Sequence, residues 1–188
     1  MTDTHDTPSE TAPRFRACDA YYHANAKGTG SAVKLELHPA HDSTPGSVFV
    51  TLAAQLTVGG PQNGAQVFPT FDWKGALKLK LDRTDLSQIL QVLRGVQESA
   101  RDGRGLFHRS ATGSALIRFE HQIEPRPGYL LSVRKKAPSG EQRDGYFRFD
   151  ADEAFALALV LERALLYVCF GIPEVRARPA PPPAAAAL

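Results

Sequence analysis

Three aromatic side chains, Phe68, Phe71 and Trp73, fall within six residues and stand beside Lys74, Lys78 and Lys80. Aromatic faces stack on unpaired bases while lysines follow the phosphates, so this combination suits contact with a single-stranded nucleic acid. The same rings could anchor the loop in a core, and for Phe71 and Trp73 both readings stand. The chemistry recurs later in the chain. Phe107, His108 and Arg109 place a ring, an imidazole and a guanidinium together, and Tyr146 adds a further ring. Arg118, Arg126, Arg134, Lys135 and Arg148 lie on the polar sides or ends of alternating segments. Residues two apart on a strand share a face, so such segments can build one basic, partly aromatic surface.

The turn Lys27-Gly28-Thr29-Gly30-Ser31 invites a phosphate-loop reading. It lacks the Gly-Lys-Ser/Thr ending of a Walker loop, and Val33 stands where a GxGxxG motif needs its third glycine. Two readings remain: a local turn between strands, or a turn that offers its backbone and Lys27 to a ligand. His38, His41 and Asp42 give an HxxH with one carboxylate and no third distant ligand, which reads as solvated loop histidines. Asp150, Asp152 and Glu153 sit at a helix start, where capping explains them. With no GxSxG elbow and no Cys–His pair, the expectation is a binding protein without cofactor or metal, not an enzyme.

The elements that must carry these groups are legible from hydrophobic period. Segments 17–25, 32–38, 47–56 and 76–81 read as strands, with Lys34 on the polar face of the second. A Gly/Pro/Asn-rich loop, 59–64, lies between the third and fourth. The period then becomes helical through Leu86, Ile89, Leu90, Leu93 and Val96, with Asp82 or Thr84 as cap. A second round follows: strands over 106–110, 114–123, 129–135 and 146–149, then a helix over Ala151–Phe170 opened by Asp150 and Glu153 and stopped by Gly171 and Pro173. Four strands and a helix, twice over, predict an α+β fold with antiparallel sheets. Between Ala154 and Phe170 the only charges are Glu162 and Arg163. A helix apolar nearly all round must be covered on nearly every side, so self-association through 151–170 is expected.

Composition bounds the rest. Of 188 residues, 43% are hydrophobic and 22% charged, an ordinary globular balance. The net charge is only +2, so any nucleic-acid surface must concentrate its cations locally. Two cysteines, Cys18 and Cys169, are too few for a disulfide framework. Residues 1–13 and the Pro/Ala-rich residues 174–188 read as disordered tails around a folded domain at 14–173. The acidic, Thr-rich N-terminus resembles neither a secretory signal nor a transit peptide, and no apolar run is long enough to cross a bilayer. A cytoplasmic location is expected, with no membrane contact. The Ala/Arg/Pro-rich composition suits a bacterial source.

Several of these motifs resemble those of one family. Lys27-Gly28-Thr29-Gly30-Ser31-Ala32 before an alternating strand resembles the KGKGAAL-type motif of the plant Whirly proteins. Phe71-Asp72-Trp73 resembles that family's aromatic-Asp-Trp segment before the fourth strand, and Leu106-Phe107-His108 its Phe-Phe-His after the first helix. The ordered set covers about residues 17–171. The resemblance implies two antiparallel four-stranded sheets packed across each other, with helices that join four subunits into a homotetramer. It also implies binding of single-stranded DNA with little sequence preference, along basic and aromatic sheet edges and between subunits, in DNA maintenance or transcription regulation. Kinetoplastid guide-RNA-binding proteins share the fold, so RNA stays open as a partner beside DNA. The residues assigned to the nucleic-acid surface are Lys27, Lys34, Phe68, Phe71, Trp73, Lys74, Lys78, Lys80, Phe107, His108, Arg109, Arg118, Arg134, Lys135, Tyr146 and Arg148. Thr29 replaces the motif's second lysine, which weakens the basic turn, and the family's transit peptide has no counterpart. The competing reading is a protein–protein scaffold that uses the same sheet surfaces.

Overall fold

The computed structural model describes residues 18–62 and 64–172, and the two tails read from sequence lie outside them. In chain order the elements are β1 (Cys18–His23), β2 (Ser31–His38), β3 (Ser47–Ala54), β4 (Gly60–Gln62), β5 (Ala65–Val67), β6 (Leu77–Leu81), α1 (Arg83–Leu93), β7 (Leu106–Ser110), β8 (Gly113–Gln122), β9 (Gly128–Lys136), β10 (Gln142–Phe149) and α2 (Ala151–Phe170). They make two four-stranded antiparallel sheets, ordered β1-β2-β3-β6 and β10-β9-β8-β7, plus the ribbon β4-β5. The class is therefore α+β, as the sequence predicts. The segment 59–64, expected as a plain loop, is a correction: Gly60–Gln62 pairs antiparallel with Ala65–Val67 in a short ribbon between β3 and β6.

Alternation sets which face of each sheet is buried. In the first sheet Val33 pairs with Leu52 and Leu35 with Val50, which in turn pairs with Leu79. All five are buried, while Lys78 and Lys80 between them on β6 are exposed. In the second sheet Ile117, Phe119, Leu131, Val133, Phe147 and Phe149 point inward. One core joins these two faces to Leu86, Ile89 and Leu90 of α1 and Leu157, Leu161 and Ala164 of α2. Each fully buried large side chain contributes about 1.5–3 kcal/mol of transfer free energy. Tyr21 packs on Phe149, its ring 5.3 Å away. Burial, with Asp19 beside it, pushes the Tyr21 phenol above its ordinary range.

Both helices begin with a complete capping box, Asp82 with Asp85 and Asp150 with Glu153. Each box carboxylate also meets a histidine from a strand of the other half of the chain. Asp85 of α1 lies 2.9 Å from Nε2 of His108 on β7, and Glu153 of α2 lies 2.8 Å from Nε2 of His23 on β1. The two halves are thus clipped reciprocally, first strand to opposite helix. The α1 period does not reach Val96. The chain turns left-handed at Gly95 (φ 68°), and Val96 is left exposed beyond the helix. Two carbonyls in the last turn of α2, those of Tyr167 and Val168, accept from the backbone N–H of Ala40 and Gly46. Among the described residues no helix is long and apolar enough to cross a membrane.

The outer side of α2 is uncovered. Ala154, Leu157, Ala158, Leu161, Ala164 and Val168 face the core, whereas Phe155, Leu159, Leu166 and Phe170 are exposed. Glu162 spends its charge on Arg94 of α1. An apolar groove of about 450 Å³, lined by Leu37, Val48, Leu159, Val160 and Tyr167 and closed by Cys18, runs beside this stripe. Burial pushes the Cys18 thiol above its ordinary value.

Candidate nucleic-acid interface

The glycine turn is built by hydrogen bonds within the chain. Asn25 Oδ1 accepts from the backbone N–H of Lys27 and Thr29, an Asx-type turn that leaves the Lys27 side chain in solvent. Gln55, buried at the end of β3, holds the turn from below. Its Oε1 accepts from Asn25 N (2.9 Å) and Gly30 N (3.0 Å), and its Nε2 donates to the carbonyls of Asn25 and Thr57. The amide's two donors and its carbonyl oxygen are all satisfied, as burial demands. Gly30 must be glycine, since a Cβ would stand 2.1 Å from the His23 carbonyl oxygen. Sequence reasoning missed Gln55; its one signal is a polar side chain closing an apolar strand.

The same strand end positions the aromatic segment. Asp72 N donates to the Ala54 carbonyl and Leu56 N to the Thr70 carbonyl, so residues 70–72 run alongside 54–56. This brings Phe71 and Trp73 onto Tyr22 of β1, with ring centroids 5.6 and 6.2 Å away. Phe71 is half-buried in this trio, and Trp73 and Tyr22 stay exposed. Tyr22 is a second residue absent from the sequence-based set. It enters through the pairing of β1 with β2, which a linear reading does not reveal. Lys74 is exposed next to the trio, and Phe68 lies farther along the loop, 76% exposed.

On the second sheet the registers gather a face. Phe107 pairs with Leu116, Leu116 with Arg134, and Arg134 with Asp144. Arg118 pairs with Ser132, and Ser132 with Tyr146. Because alternate residues share a side, Phe107, Arg109, Arg118, Arg134, Lys136, Tyr146 and Arg148 all belong to the outer face. Phe107 (64%) and Tyr146 (58%) keep their rings in solvent. A cleft of about 320 Å³ on this face is lined by Leu116, Arg118, Ser132, Arg134 and Tyr146. A second cleft, of about 210 Å³, lies between the glycine turn (28–31), the end of β3, Asp72, Gly75 and residues 143–146 of β10. The two share Asp144, Gly145 and Tyr146 of the edge strand β10 as lining. Gly145 allows this meeting of the sheets; a Cβ there would stand 2.9 Å from both Leu52 and Leu77 side chains. Arg143 donates to the Gly75 carbonyl and closes the join.

The other assigned residues lie off this face or, like Arg134 and Arg148 on it, are held by partners within the chain. Lys34, Lys78 and Lys80 lie on the outer face of the first sheet, where Glu36 is 3.5 Å from Lys34 and 4.0 Å from Lys78, and Lys78 also rests 4.9 Å from the Phe49 ring centroid. His108 and Lys135 alternate to the inner side of the second sheet. His108 meets Asp85, and Lys135 Nζ donates to the Lys78 carbonyl. Arg148 holds the β8–β9 connection through the Arg126 carbonyl and Gln122 Oε1, at 2.7 Å each. Arg134 pairs with Asp144 at 3.2 Å. Among the described residues, no group of three or more His, Cys, Asp or Glu is placed to hold a metal.

No family model matches the chain, and no curated protein matches it in sequence. Solved structures do. WHY1 from Arabidopsis thaliana superposes with a TM-score of 0.65 at 15% identity, covering 84% of this chain and 87% of that one. The plant transcriptional regulator PBF-2 gives 0.60 at 13% identity, over 83% and 92% of the two chains. A guide-RNA-binding protein complex bound to a gRNA gives 0.55 at 18% identity, over 82% and 92%. At these identities the likeness is one of fold, and the fold of this chain is that of the Whirly proteins.

Proposed function

We propose that the protein binds single-stranded nucleic acid, DNA or RNA, with little overall sequence preference, and serves DNA maintenance or transcription regulation by binding rather than catalysis. The observation that carries this reading is the pair of clefts that share Asp144, Gly145 and Tyr146 of β10. One is lined by Asp72, which stands in the chain between Phe71 and Trp73 of the aromatic trio, and by Tyr146; the other is lined by Tyr146, Arg118 and Arg134, on the face that also carries Phe107. Rings in solvent beside guanidinium groups fit splayed bases and their phosphates. The solved neighbours support it, one being a transcriptional regulator and another carrying a guide RNA. The exposed apolar stripe of α2 supports a homotetramer assembled through that helix.

Fluorescence polarisation with labelled single strands, their duplexes and RNA of equal length tests the reading. Single strands are expected to bind more tightly than duplex, because a duplex hides the base faces. Equal affinity for both would overturn the stacking mechanism. Phe107→Ala separates platform from core. With its ring mostly in solvent, truncation should weaken binding by roughly 1–3 kcal/mol and leave the thermal midpoint unchanged. A lowered midpoint with intact affinity would assign Phe107 to packing instead.

A further inference from the structure

The smaller cleft is lined by the carboxylate of Asp72, which stands in the chain between the rings of Phe71 and Trp73. Asp72 Oδ1 accepts from Gly75 N at 2.8 Å, and its Oδ2 has no partner among the described residues. Asp144 on the β10 wall is already held by Arg134 and Gln142. A phosphate is repelled by Asp72, whereas a base edge is uncharged and brings N–H donors. The volume, about 210 Å³, is below the roughly 300–1,000 Å³ of cavities that take drug-sized ligands, which suits one planar ring system. Tyr146 belongs to the lining and is exposed on the outer face of the edge strand, so a strand with one base at this cleft can stack a neighbouring base on that ring.

The base edges differ in what they offer a carboxylate. Thymine and uracil present one N–H between two carbonyl oxygens, and those oxygens oppose the carboxylate. Cytosine and adenine present one amine beside a ring acceptor. Guanine alone presents N1–H and the N2 amine side by side, matching two carboxylate oxygens that accept only. On the reading that this surface binds single strands, we infer that the cleft is a guanine-selecting subsite and that Asp72 is its specificity-determining residue.

The test compares three strands of equal length, alternating dT–dG, alternating dT–dI and all-dT, on the wild type and on Asp72→Asn. Inosine keeps N1–H and lacks the N2 amine. A bidentate contact is expected to make dT–dG bind about tenfold more tightly than all-dT, with dT–dI between them. Asp72→Asn retains an oxygen for Gly75 N and turns a donor into the cleft, so it should abolish that ratio. The dT–dI comparison needs no variant and stands even if Asp72→Asn folds poorly. Equal binding of all three strands by the wild type overturns the subsite while leaving the single-strand reading intact. A guanine preference that survives in Asp72→Asn overturns the role of Asp72. Binding of none of the strands overturns both.

Discussion

Raising salt from 50 to 200 mM should weaken binding of a single strand by about 100-fold, with a slope near −3.5 in a plot of log affinity against log salt. The figure follows from five exposed cations on the glycine turn, beside the aromatic trio and on the outer face of the second sheet that carry no ion pair among the described residues: Lys27, Lys74, Arg109, Arg118 and Lys136; Arg143 is left out because its guanidinium donates to the Gly75 carbonyl. Arg134 is excluded because Asp144 already neutralises it, and Arg148 because its guanidinium is spent on Arg126 and Gln122. Five phosphates neutralised, at about 0.7 released counterions each on a single strand, give that slope. Removing one contributor, as in Arg118→Ala, should flatten the slope by roughly 0.7 and weaken binding alike on every sequence. The Lys34–Glu36–Lys78 group makes a useful contrast, since its face carries its own carboxylate and lies away from the clefts. Lys78→Ala should leave the slope nearly unchanged. Affinity that ignores salt would remove the phosphate contacts from the reading.

The parts of this fold with a strict period were open to reading from sequence. β7 and α2 have the expected bounds, because Leu106–Ser110 is hemmed by glycines and α2 is framed by Asp150 and Gly171. β10 is longer than its apolar residues suggest, running from Gln142, since Gln142, Arg143 and Asp144 are polar and belong to the sheet through pairing with β9. Local pattern carries no trace of such pairing. The same limit applies to the interface. Exposed rings and cations at Phe107, Tyr146 and Arg118 could be named from residue type, but their common face depends on register. His108 and Arg109 are neighbours in sequence and face opposite sides of the sheet. Gln55 and Tyr22 escaped notice because their importance arises from contacts with segments distant in the chain, the glycine turn for one and Phe71–Trp73 for the other. The mild net charge likewise conceals a local excess on the β7–β10 face.

Replacing Leu166 by glutamate should split the assembly into smaller species while each protomer stays folded. Leu166 is 50% exposed on the outer side of α2, in one stripe with Phe155, Leu159 and Phe170, so the substitution disturbs little inside the protomer. Leu165, one residue earlier, packs partly against the core and would confuse folding with assembly. In a helix-to-helix contact the new carboxylate would lie in apolar surroundings without a partner, at a cost of several kcal/mol. Loss of the leucine's own burial adds up to about 1.5–3 kcal/mol. Even about 3 kcal/mol moves a dissociation constant by more than 100-fold, enough to separate subunits at micromolar concentration. Light scattering of wild type and Leu166→Glu, with circular dichroism on the same samples, reads both quantities. The expected result is a tetramer for the wild type, a smaller particle for the variant and the same spectrum for both. A wild-type monomer at micromolar concentration would show that the α2 stripe does not drive self-assembly, and a variant that remains tetrameric would move the contact to another face.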